Sequence, residues 1–433
     1  MLKKNKPKQK LRIFQGVVPQ NNQARFLSEA FNELGYKSDY YTVKDSKFKF
    51  DSGKRIFLEG DTTSLPAANF MAEIAPKYDV FHFHARSLLH FKPGHAEKFN
   101  FGFPYAMDLL FLRLLGKKIY VHFRGSEIRL EHILRENNPY QWLDEPGKNY
   151  LQIPDEKKIL WRDFLYEICD GTFATDAEVM ESSPQSKIVE RVIKPKEYPH
   201  IGLGDMEKPL IVHAPTSRNL KGTEHIIKAL EKLTDNGYKF DFKLVQNLPH
   251  EKAKELYASA DIILDQIRVG WYGITALEAM AMGKIAVCYV KEEYDPKHKI
   301  PLVSANLDNI YDNVKHILDN KDYYRKIAAK GRKFVEENHA PQIIAKQLIK
   351  EYEKPQKTAI DITKIAAFMD YTNKKSVEDA LAYQKLISSK NNTAYKQPSQ
   401  STGRRIKKLF RDPYRFCVDS KYASVRKMAK VFK

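Results

Sequence analysis

Cysteine is nearly absent from this chain of 433 residues. Cys169, Cys288 and Cys417 lie far apart with no C-x-x-C spacing, which excludes a disulfide framework or a cysteine-built zinc site and fits a reduced, cytosolic protein. Long apolar runs are absent as well. The most apolar candidate, 107–115, is interrupted by Asp108 and Arg113, so no transmembrane helix is expected. The basic start from Lys3 to Lys10 leads into a strand pattern rather than an apolar segment with a cleavage site, and no secretory leader is expected. Also absent are G-x-G-x-x-G after a strand, G-x-x-x-x-G-K-[ST], H-E-x-x-H and G-x-S-x-G, which removes the main support for dehydrogenase, P-loop, zincin and α/β-hydrolase readings. No Asp-x-Asp pair occurs, which disfavours a carboxylate-clamped divalent metal on a nucleotide diphosphate.

What is present is a chain with 42% apolar and 29% charged residues, too apolar for disorder and too long for one core. Its net charge of +19 is concentrated at the ends. Residues 1–12 carry six positive charges and no acid, and 403–433 carry eleven against two acids, leaving about +4 for the 390 residues between. A nearly neutral body makes nucleic acid the weakest partner class, so no nucleic-acid function is expected.

From residue 11 the chain repeats one pattern of short apolar run, Gly/Pro/Asn-rich loop and amphipathic helix. Strands are predicted over 11–14, 80–84, 119–123 and 171–175, with a loop over 16–22 and helices over 25–34 and 104–115. Parallel strands need crossover helices, so this half reads as a doubly wound α/β domain. Residues 193–208 hold prolines and glycines without periodicity and read as a linker. The pattern then restarts, with strands over 210–213, 242–245, 261–264 and 285–290 and helices over 223–233, 251–258, 275–282 and 323–338. Two such Rossmann-like halves enclose a cleft at the carboxyl ends of their strands. The predicted organisation is a basic extension (1–10), an N-terminal Rossmann-like domain (11–195), a C-terminal Rossmann-like domain (205–353), terminal helices with a polar linker (354–402) and a basic tail (403–433). In the tail, Val418, Tyr422, Val425, Ala429 and Phe432 share one helical face.

Segment 270–283, GWYGITALEAMAMG, places a glycine-bearing loop directly before a helix, where free amides and the helix dipole bind phosphate. Gly273, Ile274 and Thr275 are the expected donors, and Glu278 is placed to accept hydrogen bonds from a ribose diol. The alternative is an ordinary helix start with a solvated Glu. Segment 214–223, APTSRNLKGT, puts Arg218 and Lys221 at a strand end facing the same crevice, either as phosphate ligands or as exposed loop cations.

These two segments, followed by Ile285-Ala-Val, resemble the donor domain of GT-B glycosyltransferases of the retaining family 4 type, over roughly 11–353. The resemblance implies a Glu-x7-Glu pair whose second member, binding the donor ribose, is Glu278. The first, which binds the transferred sugar, falls on Gly270, and Asp265 or Gln266 is expected to replace it. Segment 120–129, YVHFRGSEIR, resembles the family's His-Gly-Ser-Asp strand end, with Arg124 where the His would be. It gives acceptor-side candidates His122, Arg124, Gly125, Ser126 and Glu127, to which Gly16 and Asn21 of the first loop and His84 are added. The alternatives are a polar surface loop, a capped turn and structural histidines; His82 and His84 lack further ligands for zinc, so no metal site is expected.

The resulting expectation is a two-domain, metal-independent, retaining glycosyltransferase with Arg218 and Lys221 stabilising a diphosphate leaving group and no cofactor beyond its nucleotide-sugar substrate. The basic tail predicts peripheral attachment to the anionic inner face of the cytoplasmic membrane. The segment LFRDPYRF at 409–416 resembles tails of bacterial capsule and surface-polysaccharide enzymes, implying a lipid-linked or growing surface glycan as acceptor. A non-catalytic GT-B scaffold binding nucleotide or glycan is the alternative.

Overall fold

The computed structural model describes residues 10–18, 21–42, 53–55, 65–86, 106–145, 153–246 and 248–392. The tail over 403–433 and all but the last residue of the basic extension over 1–10 lie outside the described residues, as does Gln20 of the first loop. The chain divides into two compact units, Met1–Ser376 and Val377–Lys433.

The first unit holds two parallel α/β lobes. In the N-terminal lobe, strands β1 (Arg12–Val17), β2 (Lys37–Thr42), β3 (Lys54–Arg55), β4 (Val80–His84), β5 (Lys118–Phe123), β6 (Gly171–Ala174) and β7 (Lys187–Ile188) form one sheet of order β3-β2-β1-β4-β5-β6-β7. Its helices are α1 (Gln23–Glu33), α2 (Leu65–Ile74), α3 (Met107–Leu114), α4 (Glu131–Asn137), α5 (Asp155–Ile168) and α6 (Ala177–Glu181). A sheet covered on both faces needs strands buried throughout, and every residue of β4 is buried. Polar residues inside it, His82 and His84, therefore face helices rather than water.

In the C-terminal lobe, β8 (Leu210–His213), β9 (Asp241–Leu244), β10 (Ile262–Leu264) and β11 (Ile285–Val287) form a sheet of order β11-β10-β8-β9. Around it lie α7 (Arg218–Lys221), α8 (Thr223–Asp235), α9 (His250–Ser259), α10 (Ile274–Ala281), α11 (Ile310–Asp319) and α12 (Lys321–Asn338). Residues 275–281 of α10 are all buried. At the crossing of α10 with α12, a Cβ on Gly331 would lie 2.8 Å from the Met280 carbonyl oxygen, so only glycine allows this approach. In both sheets the strand order reverses, at β1/β4 and at β8/β10, and loops leaving the carboxyl ends there open a crevice.

Three features depart from the sequence expectation. Strand β1 runs on through Val17, so Gly16 pairs with Tyr41 and Phe83 inside the sheet instead of opening a cleft loop. Helix α13 (Pro341–Tyr352), expected in the donor domain, crosses back to the N-terminal lobe. Its Ile344, Leu348 and Tyr352 share a core with Ile13, Phe26 and Phe31. Helix α14 (Ile362–Asn392) is continuous where one or two helices were predicted, and it runs on past residue 388 into the expected polar linker; its Ile365 and Phe368 join the core around Trp161 and Phe164. An apolar stripe specifies a helix but not which lobe it covers.

Candidate active site

A cavity of about 330 Å³ lies between the lobes. From the C-terminal lobe it is lined by the β8 loop (Pro215, Thr216, Leu220, Lys221), by Gln266 after β10, by the start of α10 (Gly273, Ile274, Thr275, Glu278) and by His250 and Tyr257 of α9. From the N-terminal lobe come Asn21, Gln23, Arg124 and Arg191.

The first-turn amides of a helix lack an i−4 partner. In α10 an internal carboxylate takes two of them: Asp265 Oδ2 accepts from the amides of Gly273 at 2.9 Å and Ala276 at 3.3 Å. Its Oδ1 accepts from Lys221 Nζ. Asp265 is 1% exposed, and so it anchors the site from beneath rather than facing a sugar. Gly273 is thus not a free donor, and the amides of Ile274 and Thr275 are those left for a ligand, adjacent to Lys221.

Glu278 Oε1 accepts from Tyr198 Oη at 3.0 Å and from His250 Nε2 at 2.7 Å. These bonds fix a buried carboxylate at the cavity wall. Gln266 donates to the Trp271 carbonyl at 2.5 Å, bracing the loop before α10. Arg218 departs from the expected role. It pairs with Glu224 at 2.6 Å on the surface and does not line the cavity, because α7 turns its first residue outward while its last, Lys221, points in.

Position 270, where the sequence resemblance would place a carboxylate, is a glycine packed closely on Lys291. Gly270 has φ +92°, a left-handed conformation, and a Cβ there would lie 3.0 Å from Lys291 Cγ. The Lys291 stem fills that space and carries its ammonium to Glu181 of the other lobe at 2.5 Å.

On the N-terminal side, His84 and His122 are fully buried and do not reach the cavity. With His82 they form a stack, ring centroids 4.7, 5.5 and 6.0 Å apart and planes within 22° of parallel. Among the described residues these three are the set close enough to share an ion. However, lone pairs lying in parallel ring planes do not converge on one point; Tyr352 Oη holds one nitrogen of His82, Gln15 one of His84 and the Val189 carbonyl one of His122, while His82 Nε2 and His122 Nδ1 are buried without a partner. Burial, then the charge of Arg124, holds all three well below the ordinary imidazole range. Neutral His84 donates through Nε2 to Gln15 at 2.7 Å and accepts at Nδ1 from Arg124 Nη2 at 2.6 Å.

That bond aims Arg124 into the cavity. Burial, then neighbouring Arg191, pushes its guanidinium down to about 9. Glu127 closes its own loop by accepting from the amides of Arg124 and Gly125. Gly125 is buried and Ser126 exposed, and neither lines the cavity. The predicted residues that come together are therefore Asn21, Arg124, Lys221, Gln266, Gly273, Ile274, Thr275 and Glu278, with Asp265 behind them. Sequence reasoning missed Arg191, Gln23 and His250. His250 is the first residue of α9, just before the predicted helix 251–258, and no motif around it marks its side chain.

The family described as glycosyl transferase-like matches residues 218–350, a span containing Lys221, α10 and Glu278. None of the curated proteins matches the sequence. Among solved structures, a glycosyltransferase from Rickettsia africae is similar at 14% identity and TM-score 0.55, over 80% of this chain and 98% of its own. Sucrose-phosphate synthase from Thermosynechococcus elongatus is similar at 15% identity and TM-score 0.55, over 79% and 98%. The Anabaena protein HepE, crystallised with UDP-glucose, is similar at 10% identity and TM-score 0.50, over 78% and 98%. At such identities the likeness is one of architecture: two parallel α/β lobes about a cleft, the GT-B fold, with a glycosyl transferase-like segment in the second lobe.

Proposed function

We propose that the chain is a retaining, metal-independent glycosyltransferase that binds a nucleotide-diphosphate sugar in the interlobe cavity and passes the sugar to a glycan. The observation that carries this reading is the convergence, on one cavity, of the two remaining first-turn amides of α10, Lys221 and the fixed Glu278 carboxylate. The amides and Lys221 suit a diphosphate, and Glu278 suits a ribose diol beside it. The glycosyl transferase-like match over the same segment supports the reading, as does the UDP-glucose bound by the Anabaena protein of like fold.

Charge develops on the leaving diphosphate as the glycosidic bond breaks. Lys221, held in place by Asp265, and the Ile274 and Thr275 amides are oriented before that charge appears, so their reorganisation costs little. In a front-face reaction the leaving phosphate takes the acceptor hydroxyl's proton, and no side-chain nucleophile is needed. A lipid-linked or growing surface polysaccharide is the proposed acceptor, and attachment through the basic segment 403–433 to the anionic inner face of the cytoplasmic membrane follows from its composition.

A screen of UDP-, GDP-, ADP- and CMP-sugars for thermal stabilisation identifies the donor, since a ligand of the native state raises its melting temperature. Lys221→Ala is expected to abolish both stabilisation and transfer, whereas Arg218→Ala reduces them little. Stabilisation by none of these nucleotides, or full transfer by Lys221→Ala, overturns the reading.

A further inference from the structure

The charged groups lining the cavity do not balance. Lys221 is matched by Asp265, and Glu278 by His250 and Tyr198. Arg191 is matched by Asp176 at 2.6 Å. Arg124 has neutral partners instead: His84 Nδ1 at 2.6 Å, Thr175 Oγ1 at 3.3 Å and Gln23 Oε1 at 3.4 Å. Its Nε is buried without a partner, and among the described residues no carboxylate forms an ion pair with it.

Two guanidinium groups thus stand close together on one wall, with Asp176 paired to Arg191, and with Glu127 and Asp176 acting on Arg124 through space without an ion pair. Glu190, next to Arg191, adds no second counterion at neutral pH, because burial, then the charge of Asp176, pushes its carboxyl up to about 8. Arg191 also donates to the Tyr272 carbonyl at 3.4 Å, which places this wall beside the residue preceding Gly273. Both guanidinium groups are partly buried at the cavity wall, where a desolvated charge gains from an anion that completes it, and guanidinium forks bind carboxylate or phosphate oxygens bidentately.

We propose that Arg124 and Arg191 form a second anion seat, on the N-terminal wall, for an acidic group of the donor: a carboxylate on the transferred sugar, as in a hexuronosyl nucleotide, or the donor's own distal phosphate. This rests on the proposed nucleotide-sugar reading and adds the acidic substrate class to it. It gives each lobe one half of the charge recognition, so that productive binding needs both walls.

The test measures affinities of the full chain for inorganic pyrophosphate, UDP, UDP-glucose and UDP-glucuronate, in the wild type, Arg124→Gln and Arg124→Lys. A sugar carboxylate in the seat predicts that the wild type prefers UDP-glucuronate to UDP-glucose by tenfold or more, and that Arg124→Gln removes the preference with UDP affinity unchanged. A phosphate in the seat predicts a tenfold or greater loss for pyrophosphate and UDP alike in Arg124→Gln. Arg124→Lys, which keeps the charge, should retain part of either effect and guards against a folding defect, as does an unchanged near-ultraviolet circular dichroism spectrum. Affinities within twofold of wild type for all four ligands in a folded Arg124→Gln overturn the seat but leave the nucleotide reading standing. Failure of the wild type to bind any nucleotide sinks that reading, and the pyrophosphate arm then decides the seat alone.

Discussion

Asp265→Asn isolates the contact on which the site is built. The carboxylate is 1% exposed and holds Lys221, whose side chain is 8% exposed, together with two amides of α10. Asparagine keeps an oxygen for the amides but cannot neutralise the ammonium. Stranding a buried charge costs about 3–5 kcal/mol, and the lower end applies because Lys221 borders a cavity that water enters. Weakening the helix cap adds about 0.5 kcal/mol. Asp265→Asn should therefore destabilise by about 3 kcal/mol. Lys221→Met should cost less, about 2 kcal/mol, because the remaining carboxylate keeps its amides and the helix dipole. In the double variant no charge is stranded, so its cost should fall at least about 2 kcal/mol below the sum of the singles. Urea denaturation of the full chain, read by tryptophan fluorescence with equal slopes required of all four proteins, measures this coupling. Additivity within about 0.5 kcal/mol would refute the claim that the pair acts as a unit.

Stability should depend on pH in a defined direction. His82, His84, His122, His213 and His339 are buried and held neutral, the last two down to about 4, chiefly by burial. The unfolded chain protonates them near pH 6.5, so below that pH it binds more protons than the native state, and stability falls from pH 6.5 to 4. His213 and His339 each remove about 3 kcal/mol by pH 4. Glu190 acts oppositely: its raised carboxyl keeps a native proton that the unfolded chain loses, so it lowers stability as pH rises from about 4.5 to 8. Glu190→Gln should gain on wild type across that window in pH-resolved melting curves; a constant difference would contradict the assignment. Gly270→Glu, which puts a carboxylate where the sequence resemblance expects one, should cost about 2–4 kcal/mol through left-handed strain and displacement of Lys291 and yield no gain in transfer, as melting and turnover assays would show.

Much of this was legible in the sequence, for identifiable reasons. Strands such as β4 and β8 and the helix α10 are bounded by glycine, proline and apolar period, which are local signals. The glycine-bearing helix start is likewise a local signal, and Lys221, Ile274 and Glu278 do share a cavity. What was hidden depends on separation in sequence. Asp265 and Lys221 are 44 residues apart, so nothing near either announces that they pair. An alternating His-Phe-His run reads the same whether its polar face meets solvent or a second helical layer, and here helices cover it. Arg191 follows the short strand β7 with no motif around it, although it shares the cavity wall with Arg124, 67 positions earlier in the chain.

The central claim is that α10 meets a diphosphate with the amides of Ile274 and Thr275. Ile274→Pro tests it with little disturbance, because Ile274 is the first helical residue, where proline is tolerated. Gly273 before it is already extended, with φ −92° and ψ −176°, as a residue preceding proline requires. Calorimetric titration with the nucleoside diphosphate that stabilises the wild type should show a loss of about tenfold or more from one charge-assisted hydrogen bond, with the fold retained. Unchanged affinity in a folded Ile274→Pro protein would contradict the account.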